Sequence, residues 1–244
     1  MQLFYPGEES VLRPEMVTKW KRLRNSYNFN TLPGTAIICI DYSIIRYLDT
    51  FRARKIRGIK GRHFVRKGLL FCSEFGNGAA GLVSLLEELR ALGMQRFVFL
   101  GSAGILASDI REGDLIAVRK AVSGAGVCSY YAENQIIEVP DLNFYSRLQQ
   151  AMDINPGTCF SVDTPFRETR VLLENAKGLG AQLVEMESAA AYAFARYYQL
   201  PAVCFLAAAD NLTAAWSPPQ NFQKILDRQR QLVDRLVTIL PAIT

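Results

Sequence analysis

Two stretches of this chain put carboxylates where they could act on a bound molecule. The first is Glu185-Met186-Glu187, directly before an apolar, alanine-rich run from Ser188 to Tyr198. The second is Asp210, which with Asn211 closes the apolar run Ala202 to Ala209. An ionised carboxylate accepts hydrogen bonds from hydroxyl groups, and a neutral one donates a proton. An acid placed outside the end of a buried strand could therefore act on a bound molecule. The turn Glu74-Phe75-Gly76-Asn77-Gly78 adds backbone N–H groups at a helix start, which suit an anion. Ser102, between Gly101 and Ala103-Gly104, adds a hydroxyl among small residues that let a ligand approach the backbone. Each feature also has a plain structural reading. Acids at a helix N-terminus complement its dipole, Asp-Asn after a strand is turn chemistry, and paired glycines serve turn geometry. Their combination is what points to a site.

The elements that must position these groups read as follows. Ser188 to Tyr198 has no Pro or Gly and suits a buried helix, ended at Gln199-Leu200-Pro201. Ala202 to Ala209, Thr35 to Ile40, Gly68 to Ser73 and Arg96 to Leu100 read as strands covered on both faces. Shorter strands are expected at Leu115 to Arg119 and Cys159 to Asp163, and Ala121 to Pro140 reads as a loop. Helices are expected at Glu15 to Asn25, Tyr42 to Phe51, Ala79 to Leu92, Leu142 to Met152, Glu168 to Asn175 and Asn221 to Leu240. The basic stretch Arg52 to Gly68 reads as a loop or hairpin. Alternating apolar strands and helices predict an α/β fold, a mostly parallel or mixed central sheet with helices on both faces. In such sheets ligands bind outside the carboxyl ends of the strands. Gly76 to Gly78, Ser102, Asp163 and Asp210 each follow a different strand and would converge on one crevice. One domain over residues 1–244 is expected, with residues 1–33 as an N-terminal arm.

Composition narrows the function. Half the residues are hydrophobic, enough for a sizeable core, and the net charge of +5 is a mild excess that could attract anions. No patch interleaves cations with aromatics as a nucleic-acid groove would, so no nucleic-acid partner is expected. No apolar run is long enough for a membrane span and the N-terminus does not read as a signal peptide, so no membrane partner is expected. Five scattered cysteines read as reduced, mostly buried thiols of a cytoplasmic protein. The single histidine, His63, reads as a solvated surface residue within a basic run, Arg52 to Lys67, that holds eight Lys or Arg. No metal site and no cofactor are expected. Trp216 reads as a lid or a core plug.

The order of motifs resembles the purine nucleoside phosphorylase and uridine phosphorylase family, which includes the methylthioadenosine/S-adenosylhomocysteine nucleosidases. The resemblance rests on FGNGAAG (Phe75 to Gly81), FLGSAGIL (Phe99 to Leu106), EGDLI (Glu112 to Ile116), SVDTPF (Ser161 to Phe166), VEMESAA (Val184 to Ala190) and AADN (Ala208 to Asn211). It implies cleavage of a nucleoside's N-glycosidic bond, with inorganic phosphate as co-substrate and a purine as the favoured base. Glu187 would then take the ribose hydroxyls, with Met186 packing on the sugar. Asp210 would donate a proton or hydrogen bond to a purine ring nitrogen, which requires it to be protonated part of the time. Gly76, Asn77, Gly78 and Ser102 would meet phosphate or attacking water. Phe166 or Phe160 would stack on the base, near Asp163. A homo-oligomer, dimer or hexamer, is implied as well.

Two departures bear on the nucleophile. Phosphorylases of this family carry an arginine where this chain has Phe99, and a Gly-Asp-Pro-x-Arg element where it has Ile40-Asp41-Tyr42-Ser43-Ile44, with Arg46 two residues late. Phosphate binding would need replacement cations. Arg57 or Arg62, reaching in from a neighbouring subunit, could supply them. The nucleosidases instead use a glutamate after the first strand to activate water, and here the acid at that place is Asp41. Phosphorolysis, hydrolysis and a non-catalytic binding role all stay open on the sequence.

Overall fold

The computed structural model describes residues 10–41, 44, 46, 47 and 53–243. Helix α1 (Pro14–Leu23) leads into strand β1 (Thr35–Cys39). Of the helix expected over Tyr42 to Phe51, Ile44, Arg46 and Tyr47 are helical, and the rest lies outside the described residues. The basic stretch forms a hairpin, β2 (Arg54–Ile56) and β3 (Arg62–Arg66), followed by β4 (Leu69–Ser73) and α2 (Gly78–Ala91). Then come β5 (Arg96–Ile105), β6 (Leu115–Gly124), β7 (Ile136–Glu138), α3 (Leu142–Met152) and β8 (Asn155–Val162). The chain continues with α4 (Arg170–Gly178), β9 (Leu183–Glu185), α5 (Ser188–Tyr197), β10 (Ala202–Asn211) and α6 (Phe222–Ile243).

The ten strands form one mixed sheet in the order β10-β6-β8-β9-β5-β1-β4-β3-β2, with β7 on β6. Strand β10 also pairs with β5, in parallel, so that β5, β10, β6, β8 and β9 close into a ring. Strands β1 and β4 are buried along their whole length and β10 from Ala202 to Ala208, as expected of largely apolar strands with helices against them. Helix α5 runs through the interior. Its Tyr192 is fully buried and tethered, its hydroxyl donating to the Val118 carbonyl at 2.5 Å and accepting from the Cys204 N–H at 3.0 Å. Among the described residues no helix is long and apolar enough to cross a membrane.

Several element boundaries differ from the sequence reading, each for a visible reason. Strand β5 does not stop at Leu100. It continues through Gly101-Ser102-Ala103-Gly104, because β10 and β9 pair with those small residues. A Cβ on Gly104 would lie 2.3 Å from Leu212 Cδ1, so a larger residue there would push the Leu212 side chain aside. Strand β6 runs on to Gly124 across a register shift between Val118 and Lys120, which breaks its apolar pattern. The stretch expected as loop therefore holds the end of β6 and all of β7. Strand β8 begins at Asn155, with Pro156 near its start, where proline's missing N–H is tolerated. Thr169 caps α4 by accepting from the Leu172 N–H at 3.3 Å. The helix thus starts two residues later than expected and Glu168 is left outside it. His63 is not solvated. It is 1% exposed in β3, its Nε2 lies 2.9 Å from the Lys60 carbonyl, and burial holds its pKa below the usual range.

Candidate active site

One cavity of about 520 Å³ gathers residues from separate parts of the chain, Pro165 and Glu168 before α4 and Phe222 of α6 among them. Asp41 follows β1, Asn77 sits at the N-cap of α2, and Ser102 and Gly104 belong to β5. Glu187 and Met186 join β9 to α5, and Asp210 stands near the end of β10. The volume is in the range of small-molecule sites.

The acids of the Glu185-Met186-Glu187 stretch divide their work. Glu185 is buried and accepts from the Ser161 hydroxyl at 2.5 Å and from the N–H groups of Glu187 and Ser188, each at 2.8 Å. It takes the first two N–H groups at the start of α5, the expected place for an anion, while the Ala189 N–H donates to the Ser161 hydroxyl at 2.9 Å. Burial pushes its pKa up, and those donors, all aimed at a carboxylate, oppose the shift. Glu187 is held from the other side. Its Oε1 accepts from the Gly78 N–H at 2.7 Å. Gly78 has φ +80°, which glycine adopts readily, and a Cβ there would stand 3.5 Å from Met186 Cε. The glycine turn expected to cradle an anion thus directs its Gly78 N–H at Glu187. Burial, and then the charge of Glu185, raise Glu187 to about 7.

Asp210 lines the same cavity, half-buried, its Oδ2 accepting from the Trp216 indole N–H at 2.8 Å. Trp216 is 65% exposed and so is no core plug. Beside Asp210, Glu168 lines the same cavity and is raised to about 7 by burial and by the charge of Asp210. Glu168 is a site residue that the sequence reading missed, because it was absorbed into the start of a helix. Close by, Asp41 accepts from the Ser102 hydroxyl at 2.9 Å and from Gln229 Nε2 at 3.1 Å. Gln229 is a second miss. It was legible as the one polar residue on the apolar stripe Ile225, Gln229, Leu232, Val233 of α6, where it is 2% exposed.

The remaining candidates lie away from the cavity in this chain. Phe160 is buried behind the wall, packed with Val184, Met186 and Leu212, and Gly124 leaves room for its ring. Phe166 is 96% exposed in a single 3₁₀ turn, Pro165–Arg167. Asp163 accepts from the Gly126 N–H at 2.9 Å and ties β8 to the loop after β6. Gly76 lies in the turn before Asn77 without lining the cavity. Arg57 and Arg62 line a different cleft, on the β2–β3 hairpin. Phe99 and Ile44, which stand where the resemblance leads one to expect arginines, are both about 1% exposed. The described lining holds the carboxyls of Asp41, Glu168, Glu185, Glu187 and Asp210 and no lysine or arginine.

Residues 44–241 match the family described as the phosphorylase superfamily. Over 183 residues the chain is 26% identical to a guanosine phosphorylase of Halorubrum lacusprofundi, a span of 72% of this chain and 76% of that protein. It is 27% identical over 150 residues to a uridine phosphorylase of Thermococcus kodakarensis, 54% of each chain. It is also 27% identical over 133 residues to a DeoD-type purine nucleoside phosphorylase of Brevibacillus brevis, 52% of this chain and 56% of that one. The last two matches thus span about half the length of those relatives.

Proposed function

The chain belongs to the phosphorylase superfamily, and on that premise we propose that it is a nucleoside phosphorylase, a pentosyltransferase that cleaves the N-glycosidic bond of a purine nucleoside to free base and ribose 1-phosphate. The observation that carries this reading is that Glu187, Asp210 and Glu168 line one cavity. The bond breaks through an oxocarbenium-like sugar, so an enzyme gains by holding the ribose and stabilising the departing base. Ionised Glu187 accepts the ribose hydroxyls, and Met186 packs on the sugar. Asp210, held by Trp216, presents its carboxyl to a ring nitrogen of the base. A purine offers such a nitrogen on its five-membered ring, and uracil does not, which favours purines.

A phosphate dianion beside the cavity's carboxylates needs cations from elsewhere. The β2–β3 hairpin carries Arg57 and Arg62, and a second copy of the chain could bring them in. Helix α1 suits such self-association, because its polar side faces the body, where Lys21 meets Glu88 at 2.6 Å. Leu12 just before the helix and Met16, Trp20 and Leu23 within it point outward, between 50% and 77% exposed. A second reading, hydrolysis, is favoured by one observation: Asp41 and Ser102 are hydrogen-bonded in the cavity, an acceptor and a hydroxyl that could orient water. Base release from inosine, adenosine, guanosine and uridine with and without phosphate separates the two. Phosphorolysis predicts release that vanishes in phosphate-free buffer and yields ribose 1-phosphate. Release of free ribose at an unchanged rate without phosphate would establish hydrolysis instead.

The paired acids also set a pH profile. Glu187 must be ionised to accept hydroxyl protons, and Glu168 serves the base end while it keeps its proton. With both raised to about 7, kcat/KM should form a narrow bell centred near that value. Glu168→Gln should flatten the alkaline limb and leave the acid limb in place. A flat wild-type profile from about pH 6 to about pH 8 would count against both assignments.

A further inference from the structure

Three elements converge on one carboxylate of the cavity. Asp41 lies just past β1, where the Ile40 N–H still donates to the Leu100 carbonyl at 2.8 Å and keeps the chain beside β5. Ser102 of β5 donates its hydroxyl to Asp41 Oδ2 at 2.9 Å. From α6, Gln229 Nε2 donates to the same oxygen at 3.1 Å and to the Gly101 carbonyl at 3.3 Å. An amide only 2% exposed costs stability unless its hydrogen bonds are made. The neighbouring stripe residues Ile225 and Leu232 are apolar, so packing alone does not ask for an amide here. Both protons of the amide nitrogen have acceptors, and one acceptor is a carboxylate that lines the cavity.

These bonds set what the cavity offers at this place. The Ser102 proton is spent on Asp41, so towards the cavity both side chains act as acceptors. In the proposed cleavage Glu187 is taken by the sugar, and Asp210 and Glu168 by the base, while Glu185 is used by the start of α5. Among the described lining side chains, Asp41, Ser102 and Asn77 are the polar ones left for the nucleophile. We propose that Gln229 is a positioning residue for that nucleophile: it holds Asp41 against Ser102 as an acceptor pair, and the pair selects a phosphate that still carries a proton. Hydrogen phosphate donates its P–OH to the pair, and Asn77 has an amide to donate to another phosphate oxygen. Sulfate has the same shape but no proton near neutral pH, so its oxygens would face two acceptors. Cations brought by a second copy would serve either anion, and the acceptor pair tells the two apart. The bonds made and broken are those of the proposed cleavage, and the P–OH proton is shared rather than transferred.

This inference rests on the proposed phosphorolysis, and its test separates the two. Initial rates of nucleoside cleavage are measured against phosphate concentration, with sodium sulfate as inhibitor at constant ionic strength. In wild type the sulfate Ki should exceed the phosphate KM by at least about a hundredfold. Asp41→Asn puts a donor into the pair, and sulfate should then compete at concentrations within about tenfold of phosphate. Such a gain of sulfate binding cannot come from a damaged fold. Gln229→Met removes the amide and keeps the length of the side chain. It should raise the phosphate KM by about tenfold and leave the nucleoside KM unchanged. Sulfate competing as well as phosphate in wild type, full discrimination kept in Asp41→Asn, or equal rises of both KM values in Gln229→Met overturns the inference. If cleavage is absent, or runs equally fast without phosphate, the phosphorolysis reading fails. Calorimetry then decides the inference: phosphate must bind wild type in preference to sulfate and lose that preference in Asp41→Asn, and binding without preference overturns it.

Discussion

Glu187→Gln should lower kcat/KM for nucleoside cleavage by about a hundredfold and at the same time make the fold more stable above pH 7. The first effect follows from losing charge-assisted hydrogen bonds to ribose hydroxyls, together about 2–3 kcal/mol. The amide keeps an oxygen for the Gly78 N–H, so the side chain stays in place. The second effect follows from proton linkage. Glu187 is raised from 4.5 to about 7 in the folded state by burial and by Glu185. A raised carboxyl gives its full contribution to stability below its unfolded pKa and loses it as pH rises through the folded one. Glutamine is neutral throughout and escapes that loss. Thermal unfolding of both proteins at about pH 5 and about pH 8.5 checks it. The variant should gain over wild type only at the higher pH. A variant with undiminished ribose binding and kcat would remove Glu187 from the sugar site.

Asp210→Asn should lower kcat by about two to three orders of magnitude, the usual weight of a positioned proton donor. The asparagine oxygen can still accept from Trp216, so the loop of residues 212–216 should remain closed and the melting temperature near that of wild type. The amide cannot transfer a proton to the leaving base. The loss should therefore fall on kcat more than on KM, and should shrink for substrates whose base leaves readily without protonation. Turnover like that of wild type on inosine or guanosine would show that another group, Glu168 first of all, protonates the base.

The parts of this site that could be read in the sequence are those whose chemistry is local. Glu187 and Asp210 sit at the ends of strongly apolar runs, where a charge is conspicuous, and both proved to line one cavity. The buried strands and helix α5 were legible for the same reason, since continuous apolar runs leave little choice of environment. What escaped depended on pairing. Ser102 was expected after a strand, yet β10 and β9 extend that strand through it. Glu168 looked like the first residue of a helix until the Thr169 cap set the start beyond it. Phe160 and Phe166 could not be told apart by sequence. One is behind the wall and the other in solvent, which depends on how β8 ends and the 3₁₀ turn begins. Asp163 has the same position after a strand as Asp210, but a backbone N–H of the neighbouring loop claims it.

The most direct test of the central claim is a crystal structure with a purine C-nucleoside, whose carbon–carbon link to the base cannot be cleaved. The ribose 2′- and 3′-hydroxyls should lie about 3 Å from the Glu187 carboxylate, with Asp210 at hydrogen-bond distance from the base. A ligand bound outside this cavity, or bound in it with Glu187 and Asp210 both turned away, would contradict the account.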